Sequence, residues 1–276
     1  MRSSILPSAA AFGSIHDYER LDVIGGAFGV VYEARDRRTG EKVALKWIRR
    51  HGVDMREVRC QAACSGHPSI VEILDVVQDA ELGYMHVPRH GARRRRQPLL
   101  ISGPSSEDAT RGMMRQLLAA AKAVHAAGII HRDIKPDNVV VGSAGELKLC
   151  DFGAATQVKP SGQPYEQSLV GTLTYASPEQ LAGNRHYGPA VDMWALGCVM
   201  GELLTGAPLF EDFDTDVEDL LAEVLDRLST STTGACKLFD SMPELSPAGR
   251  EVLAGLLALN PDERLTAEAL EHRWFT

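Results

Sequence analysis

Long hydrophobic runs, paired cysteines and an excess of positive charge are all missing from this sequence of 276 residues. No stretch approaches the ~18 apolar residues of a membrane-spanning helix. The mildly apolar N-terminus, interrupted by Pro7 and Gly13, is weak as a signal peptide. An odd set of cysteines without Cys-x-x-Cys spacing indicates neither a zinc site nor a disulfide framework; these are Cys60, Cys64, Cys150, Cys198 and Cys236. We therefore expect an intracellular protein, in the cytoplasm, the nucleus or both, with no membrane partner.

The charge balance is acidic, with a formal net charge of −8 at pH 7. Such a balance gives no overall attraction to nucleic acid or to an anionic membrane. Proteins and small molecules are the expected partners, and nucleic acid is not. The run of arginines at 93–96 is interpreted as a solvated loop, with a nuclear-import signal or a docking patch as the open alternatives.

Short β-branched or alternating runs dominate the first part of the chain. Three of them, at 18–24, 30–36 and 41–48, are separated by Gly-Gly and Arg-Thr-Gly, as consecutive antiparallel strands are. A short helical stretch at 54–64 and two more strand candidates, at 69–77 and 83–87, follow. This part is predicted to be rich in β-structure.

Helical periodicity replaces that pattern after residue 105. Residues 105–128 begin with serines and acids, carry apolar residues from Met113 to Val124 at helical spacing, and end at Gly128, which predicts a long helix. Further helices are predicted at 190–206, 217–228, 246–259 and 266–275. A β-rich lobe is thus followed by a helical lobe, which is an α+β organisation.

Two polar segments follow the long helix. The first, HRDIKPDN at 131–138, holds a carboxylate, a lysine, a second acid and an amide. The second, LCDFGAA at 149–155, contains another carboxylate after a strand-like run. Upstream, the stretch VIGGAFGVVYEARD at 23–36 is rich in glycine, which lets a backbone pass close to a ligand, and VALK ends on Lys46.

These motifs resemble the catalytic and metal-binding loops of the eukaryotic serine/threonine protein kinases. SPE at 177–179, DMWALG at 192–197 and Arg264 continue the resemblance in the family's order. Within that family the chain is most similar to the cyclin-dependent-kinase-like branch, and its wording is similar to the plant F-class members.

The resemblance implies the bilobal protein-kinase fold. A short N-terminal extension, 1–16, would precede a kinase domain whose small β-rich lobe, with one helix, covers about 17–88. A hinge with an atypical insert would cover about 88–104, and a larger helical lobe about 105–276.

The resemblance also implies phosphoryl transfer from ATP, with Mg²⁺, to hydroxyls of protein substrates. Asp133 would act as the catalytic base on the substrate hydroxyl, and Lys135 would neutralise charge on the transferred group. Asn138 and Asp151 would hold Mg²⁺ through oxygen atoms. Lys135 favours serine and threonine substrates, and Thr172 would bridge Asp133 and Lys135.

Lys46 would contact the α- and β-phosphates of ATP and be fixed by an acid. Glu57 is the preferred acid, because it precedes GHPSIV at nearly the family's spacing, and Asp54 is the competing choice. The other nucleotide-binding residues that the resemblance implies are Ile24, Gly25, Gly26, Ala27, Phe28, Gly29, Val31, Ala44 and Val140.

The glycine-rich loop departs from the family pattern Gly-x-Gly-x-x-Gly-x-Val. Counted back from Val31, Gly29 and Gly26 match, but Ile24 stands where the first glycine belongs, so the loop is one residue short. Ile does not easily adopt the positive φ that Gly tolerates. This departure predicts weakened ATP binding.

Two regulatory positions follow from the resemblance. Arg132 precedes the predicted base and is expected to receive a phosphate from the activation segment, residues 153–179. Ser168 is the candidate phosphate acceptor, and an unmodified polar loop is the alternative. Structural roles are expected for a buried Glu179–Arg264 ion pair and for His131 and Asp192, which would brace the catalytic loop.

The hinge and the peptide groove also depart from the family. By position, Val87 would be the gatekeeper, Pro88 would offer adenine only its carbonyl, and His90 would supply an amide. Thr174 and Ala176 replace the Trp and Arg of proline-directed members, so proline direction is not assumed. A cyclin or another activator is a candidate partner without support, because VDMREVRC only partly resembles the cyclin-contacting helix.

Three hypotheses stay open at this point. The first is an active serine/threonine kinase. The second is a pseudokinase or scaffold whose shortened glycine loop and atypical hinge weaken ATP binding. The third assigns residues 78–104 to an aberrantly translated or spliced segment of an otherwise ordinary kinase.

Overall fold

Strands dominate the first part of the fold. The computed structural model describes residues 13–25, 30–48, 55–79, 83–88, 99, 103–142, 144–210, 216–229 and 237–276. The strands of this part are β1 (Gly13–Ser14), β2 (Tyr18–Gly25), β3 (Val31–Asp36), β4 (Lys42–Ile48), β5 (Ile73–Asp79) and β6 (Gly83–Pro88). They form one sheet in the order β1-β5-β6-β4-β3-β2. β1 runs parallel to β5, whereas β2, β3 and β4 are antiparallel neighbours, as predicted.

The alternation of side chains in β4 explains how the sheet presents Lys46. Successive side chains of a strand point to opposite faces. Val43 and Leu45 are buried in a small core with Tyr18, Ala34 and Val77, so Lys46 lies on the opposite face of the strand.

One helix, α1 (Arg56–Ala63), packs against this sheet. Its Val58 is buried with Met55 and Val76, and Ile73 packs against the three. The buried Gln61 donates from Nε2 to the Val71 carbonyl at 2.7 Å. These contacts fix the helix, and with it Glu57, beside β4 and β5. We call β1–β6 with α1 the small lobe.

Helices dominate the rest of the chain, which we call the large lobe. They are α2 (Glu107–Ala126), α3 (Pro178–Leu181), α4 (Ala190–Thr205), α5 (Val217–Leu228) and α6 (Pro247–Leu256). Short strands lie between α2 and α3: β7 (Ile129–Ile130), β8 (Val139–Val141), β9 (Leu147–Leu149) and β10 (Thr156–Gln157). α2 starts where the Ser106 hydroxyl accepts the Ala109 N–H at 3.3 Å, and α4 is buried over most of its length.

The predicted strand at 69–77 is displaced toward its C-terminus, since β5 covers Ile73–Asp79. The residues before it bond to β9 instead. Leu149 N–H donates to the Ser69 carbonyl and Val71 N–H donates to the Leu149 carbonyl, each at 2.9 Å. This short pairing connects the chain of the small lobe to the hairpin of β8 and β9 in the large lobe.

The C-terminal helix predicted at 266–275 is wrong in type, because the structure has a 3₁₀ helix over Ala267–Glu271. The chain then turns so that Trp274 and Phe275 become buried. Trp274 Nε1 donates to Glu107 Oε1 at 2.6 Å, a contact that anchors the chain end to α2. Burial of this aromatic pair overrides the helical pattern of the segment.

Helix α6 also ends earlier than the predicted 246–259, at Leu256. The Ala258 and Leu259 carbonyls accept hydrogen bonds from Arg264 at 2.9 and 3.3 Å. These side-chain bonds satisfy carbonyl groups just beyond the helix end. None of the described helices is long and apolar enough to cross a membrane. The α+β organisation, with a β-rich small lobe holding one helix and a larger helical lobe, is confirmed.

Candidate active site

The loop that carries the predicted base is suspended from one buried carboxylate. Asp192, in the first turn of α4, accepts the His131 and Arg132 backbone N–H groups at 2.8 Å each and contacts His125 Nε2 at 2.8 Å. Burial alone would raise the pKa of Asp192, but the bond and charge of His125 outweigh it and lower that pKa. Arg132 has a φ of 67°, unusual for a residue with a side chain. Asp192 therefore fixes the backbone of this loop.

His131 braces the same loop from inside. Its ring is buried, and burial lowers its pKa. The neutral ring accepts the Asp133 N–H on Nδ1 at 3.3 Å and donates from Nε2 to the Cys150 carbonyl at 3.1 Å. The loop of Asp133 is thereby tied to the segment that carries Asp151.

Asp133 lies at the centre of a polar cluster and is only 4% exposed. Its Oδ1 accepts the Thr172 hydroxyl at 2.8 Å, and its Oδ2 accepts Asn138 Nδ2 at 2.7 Å. Lys135 Nζ lies 3.3 Å from Oδ2 and donates to Thr172 Oγ1. Thr172 thus connects Asp133 with Lys135, in the arrangement that the sequence predicts.

Lys46 lies between two carboxylates from different parts of the chain. Its Nζ is 2.6 Å from Glu57 Oε1 on α1 and 2.6 Å from Asp151 Oδ1. Burial would lower the pKa of Lys46, but the two carboxylates outweigh it and raise that pKa above its usual range. Lys46 is therefore a fixed cation. The competing acid, Asp54, lies outside the described residues.

Asp151 and Asn138 lie on two neighbouring segments that a backbone hydrogen bond joins. Asp151 adopts a left-handed conformation with φ 60°, and its Oδ1 also accepts the Gly153 N–H at 3.2 Å. Cys150 N–H donates to the Asn138 carbonyl at 2.9 Å, which joins the two segments. Because Asn138 Nδ2 is committed to Asp133, its amide oxygen is the atom left to act as a ligand.

The Asp151 carboxylate and the Asn138 amide oxygen are the candidate ligands for Mg²⁺. In the described part of the chain, no group of three or more His, Cys, Asp or Glu is arranged to hold a metal ion. Mg²⁺ keeps several waters and is commonly bound through one or two carboxylates plus the phosphates of a substrate. A carboxylate and an amide oxygen together therefore suit Mg²⁺ that arrives with a nucleotide.

The activation segment reaches this cluster through Gly171. Gly171 has φ +95°, and a Cβ there would lie 2.3 Å from the Arg132 carbonyl. Only glycine fits such a position, which is strained and in close contact at once. This close approach brings the next residue, Thr172, to Asp133.

The predicted scaffold contact is also present. Arg264 Nη1 and Nη2 donate to Glu179 Oε1 and Oε2 at 2.8 and 2.9 Å. The pair anchors the C-terminal end of the activation segment to the large lobe.

The carbonyl of the regulatory candidate Ser168 accepts Gln180 Nε2 at 3.4 Å.

Only some of the residues predicted for nucleotide binding lie among the described residues. Val31 and Lys46 are register partners across β3 and β4, Ala44 lies on β4, and Val140 lies on β8. The backbone of Ile24 and Gly25 ends β2, and that of Val87 and Pro88 ends β6. The predictions for Gly26, Ala27, Phe28, Gly29, His90 and 93–96 lie outside the described residues.

Sequence reasoning missed two tyrosines beside this site. Tyr187 accepts Arg132 Nη1 on its hydroxyl at 3.0 Å, and the face of Tyr165 lies 5.8 Å from the same guanidinium. Neither residue belongs to a motif, and their approach depends on the path of the activation segment. No signal in the sequence would have found them.

Known proteins resemble this chain along nearly its whole length. Residues 18–275 match the family described as the protein kinase domain. A cyclin-dependent kinase F-2 of Oryza sativa subsp. japonica is 42% identical over 94% of this chain and 90% of its own length. A cyclin-dependent kinase G-2 of Oryza sativa subsp. indica is 36% identical over 95% of this chain but 42% of its own length. Mitogen-activated protein kinase 15 of Mus musculus is 35% identical over 90% of this chain and 51% of its own length.

Proposed function

The chain belongs to the protein kinase family, and on that premise we propose that it transfers a phosphoryl group from ATP to protein hydroxyls with Asp133 as the catalytic base. Its similarity to cyclin-dependent kinases makes it a serine/threonine protein kinase. One observation carries the finer proposal: a single buried carboxylate, Asp133, is oriented by Thr172, Asn138 and Lys135 together.

The geometry of Asp133 supports its role as the base. A carboxylate has about four lone-pair positions, and Thr172, Asn138 and Lys135 account for three contacts. The remaining capacity is available for the substrate hydroxyl. Asp133 would accept the hydroxyl proton on a carboxylate oxygen as that hydroxyl oxygen bonds to the γ-phosphorus of ATP. The bond between that phosphorus and the bridging oxygen breaks in the same step, and ADP leaves.

The two lysines have separate roles in this proposal. Lys135 is adjacent to Asp133, so its charge lies where negative charge develops during transfer. Lys46 is held by Glu57 and Asp151, so its ammonium is oriented before the phosphates bind. Preorganised charge of this kind costs no reorganisation at the moment of reaction.

Asn138 and Asp151 would hold Mg²⁺ through the amide and carboxylate oxygens. The ion would supply charge neutralisation on the phosphate oxygens of ATP. The residues themselves orient Lys46 and Asp133, because Asp151 accepts from Lys46 and Asn138 donates to Asp133.

Transfer of radiolabelled phosphate from ATP to a generic basic protein tests this proposal. Asp133→Asn keeps the size of the side chain but removes the base, and incorporation is expected to fall about 10³-fold. Asp137→Asn, the same change at an exposed position of the same loop, serves as the matched control and should retain activity. Equal incorporation by wild type and Asp133→Asn would exclude Asp133 as the base.

A thermal-shift measurement with Mg-ATP distinguishes the scaffold hypothesis from the active enzyme. Binding at 100 times Kd should stabilise the protein by ~2.7 kcal/mol. A shift with transfer supports the enzyme, whereas neither shift nor transfer at millimolar nucleotide supports the scaffold. The F-2 and G-2 relatives are named cyclin-dependent kinases, which makes a cyclin a candidate activator of this chain. The test is whether an added cyclin raises phosphate transfer.

A further inference from the structure

Two tyrosines, Tyr187 and Tyr165, contact the guanidinium of Arg132. We propose that these contacts position the activation segment for phosphoryl transfer when the segment carries no phosphate. We call Arg132, Tyr187, Tyr165 and the Gln167 carbonyl the tyrosine brace. The inference rests on the proposed function, because it concerns how the same site is assembled.

Arg132 contacts the segment directly and also contacts Tyr187, which lies beyond the segment. Its Nε donates to the Ala154 carbonyl, near the start of the segment, at 2.7 Å. Its Nη1 donates to the Tyr187 hydroxyl at 3.0 Å. The backbone of Arg132 is itself fixed by Asp192, so the guanidinium is presented from a rigid support.

Tyr187 passes this constraint on to the middle of the segment. Its hydroxyl donates to the Gln167 carbonyl at 3.2 Å while it accepts from Arg132. Its ring stacks on Tyr165 with centroids 4.5 Å apart and planes 20° apart. Both tyrosines are buried, at 9% and 3% exposure. One hydroxyl therefore joins the catalytic loop to the segment.

Tyr165 holds the same stretch through hydrogen bonds of its own. Its N–H donates to the Arg185 carbonyl at 2.8 Å, and its hydroxyl accepts the Lys159 N–H at 3.0 Å. The segment is thus fixed at Lys159, Tyr165 and Gln167, and Gln167 lies five positions before Thr172. Thr172 is the residue that must reach Asp133 and Lys135.

These contacts do the work that a phosphate would otherwise do. A phosphate orders a segment by forming charge-assisted bonds with an arginine. Here neutral oxygens of the chain itself already hold that arginine, and Gln167, which Tyr187 binds, has no hydroxyl to modify. Phosphorylation of Ser168 is then dispensable for an ordered segment.

Kinetics of defined phosphorylation states test the brace. Wild type is treated with phosphatase, shown by intact mass to carry no phosphate, and assayed with a basic protein substrate. Its kcat is expected to stay within about twofold of the untreated enzyme. Tyr187→Phe keeps the stacked ring and removes the hydroxyl, and its kcat should fall about tenfold, as loss of a hydrogen bond to a charged group predicts, with KM for ATP unchanged.

Tyr18→Phe is the matched control. Tyr18 is also buried and also donates its hydroxyl, to Asp75 Oδ2 at 3.3 Å, but in the small lobe. Its kcat should be unchanged. A purely structural role for Tyr187 would lower Tm and leave kcat of the folded variant unchanged, and that result would overturn the proposal.

Two other outcomes are separable. Wild type that is active only with phosphate on the segment overturns the brace and leaves the proposed function standing. Wild type that is inactive in both states overturns the proposed function, and subtilisin cleavage then decides the brace. The unphosphorylated segment should be protected in wild type and cut in Tyr187→Phe, and equal cleavage would refute the brace.

Discussion

Two buried ion pairs of the molecule can be compared directly. Lys46, in the small lobe, lies 2.6 Å from both Glu57 and Asp151. Arg264, in the large lobe, forms a two-pronged contact with Glu179 at 2.8 and 2.9 Å. Both cations are buried, at 7% and 4% exposure. They differ in how much bonding capacity each has left.

The donors of Arg264 are fully used. Its five N–H groups match two bonds to Glu179 and three to the Ala190, Ala258 and Leu259 carbonyls. Described residues use two of the three donors of Lys46, and its two carboxylates outnumber it in charge. A saturated pair supports structure, whereas a pair with spare capacity can respond to a ligand.

Removing Arg264, whose donors are all used, should lower the stability of the protein the most. Arg264→Ala leaves Glu179 buried and three carbonyls without their donor, so the free energy of unfolding should fall by ~3–5 kcal/mol. Urea unfolding at neutral pH measures it. Arg264→Lys, which keeps the charge but loses the fork, should lie between the two proteins, and a loss below about 1 kcal/mol for Arg264→Ala would contradict the comparison.

Removing Lys46, which keeps a spare donor, should lower activity rather than stability. Lys46→Met is expected to lower phosphate transfer about 100-fold, the usual effect of losing one preorganised charge, with a smaller loss of stability than Arg264→Ala. Lys42→Met is the control, because Lys42 lies on the same strand and its exposed side chain pairs with Glu33. A large loss of stability with little loss of activity in Lys46→Met would reverse the assignment.

A third buried group, His131, makes the stability of the protein depend on pH. Burial lowers the pKa of His131 below its ordinary 6.5, so the unfolded chain binds this proton more readily than the folded protein. Stability is then complete above about pH 6.5 and is lost as pH falls toward the folded pKa, by up to about 1.4 kcal/mol per pH unit.

Urea unfolding at pH 7.5 and 5.5 measures this loss. His131→Asn should reduce the difference between the two pH values, and His186→Asn, at an exposed histidine, should leave it unchanged. An identical pH dependence in wild type and His131→Asn would show that other groups cause it.

An exposed ion pair should give the smallest effect. Lys122 on α2 lies 3.0 Å from Glu268, but the two side chains are 48% and 59% exposed. Water screens such a pair, so Lys122→Ala should change the free energy of unfolding by less than about 1 kcal/mol and leave transfer unchanged. A cost approaching that of Arg264→Ala would mean that burial does not distinguish these pairs.

The sequence predicts the parts of this molecule that depend on local pattern. Alternation and periodicity locate the strands β2–β4 and the helices α2, α4 and α5. The family resemblance anticipates the contacts of Lys46 with Glu57 and of Thr172 with Asp133. The match to the protein kinase family and the similarity to an F-2 kinase confirm the resemblance.

Features that depend on distant contacts could not be predicted. The last helix is replaced by a 3₁₀ turn because Trp274 finds its partner, Glu107, on α2. Tyr187 reaches Arg132 across 55 positions of sequence, and no local pattern encodes that meeting. The short glycine loop at Gly26–Gly29 stays a prediction, because it lies outside the described residues.

Gly171 has a consequence for inheritance. Its left-handed backbone and the 2.3 Å separation between a would-be Cβ and the Arg132 carbonyl exclude every L side chain at this position. Glycine codons differ only in their third base, so any substitution at the first or second base of this codon changes the residue. Missense alleles at this single codon should behave as nulls, whichever amino acid they introduce.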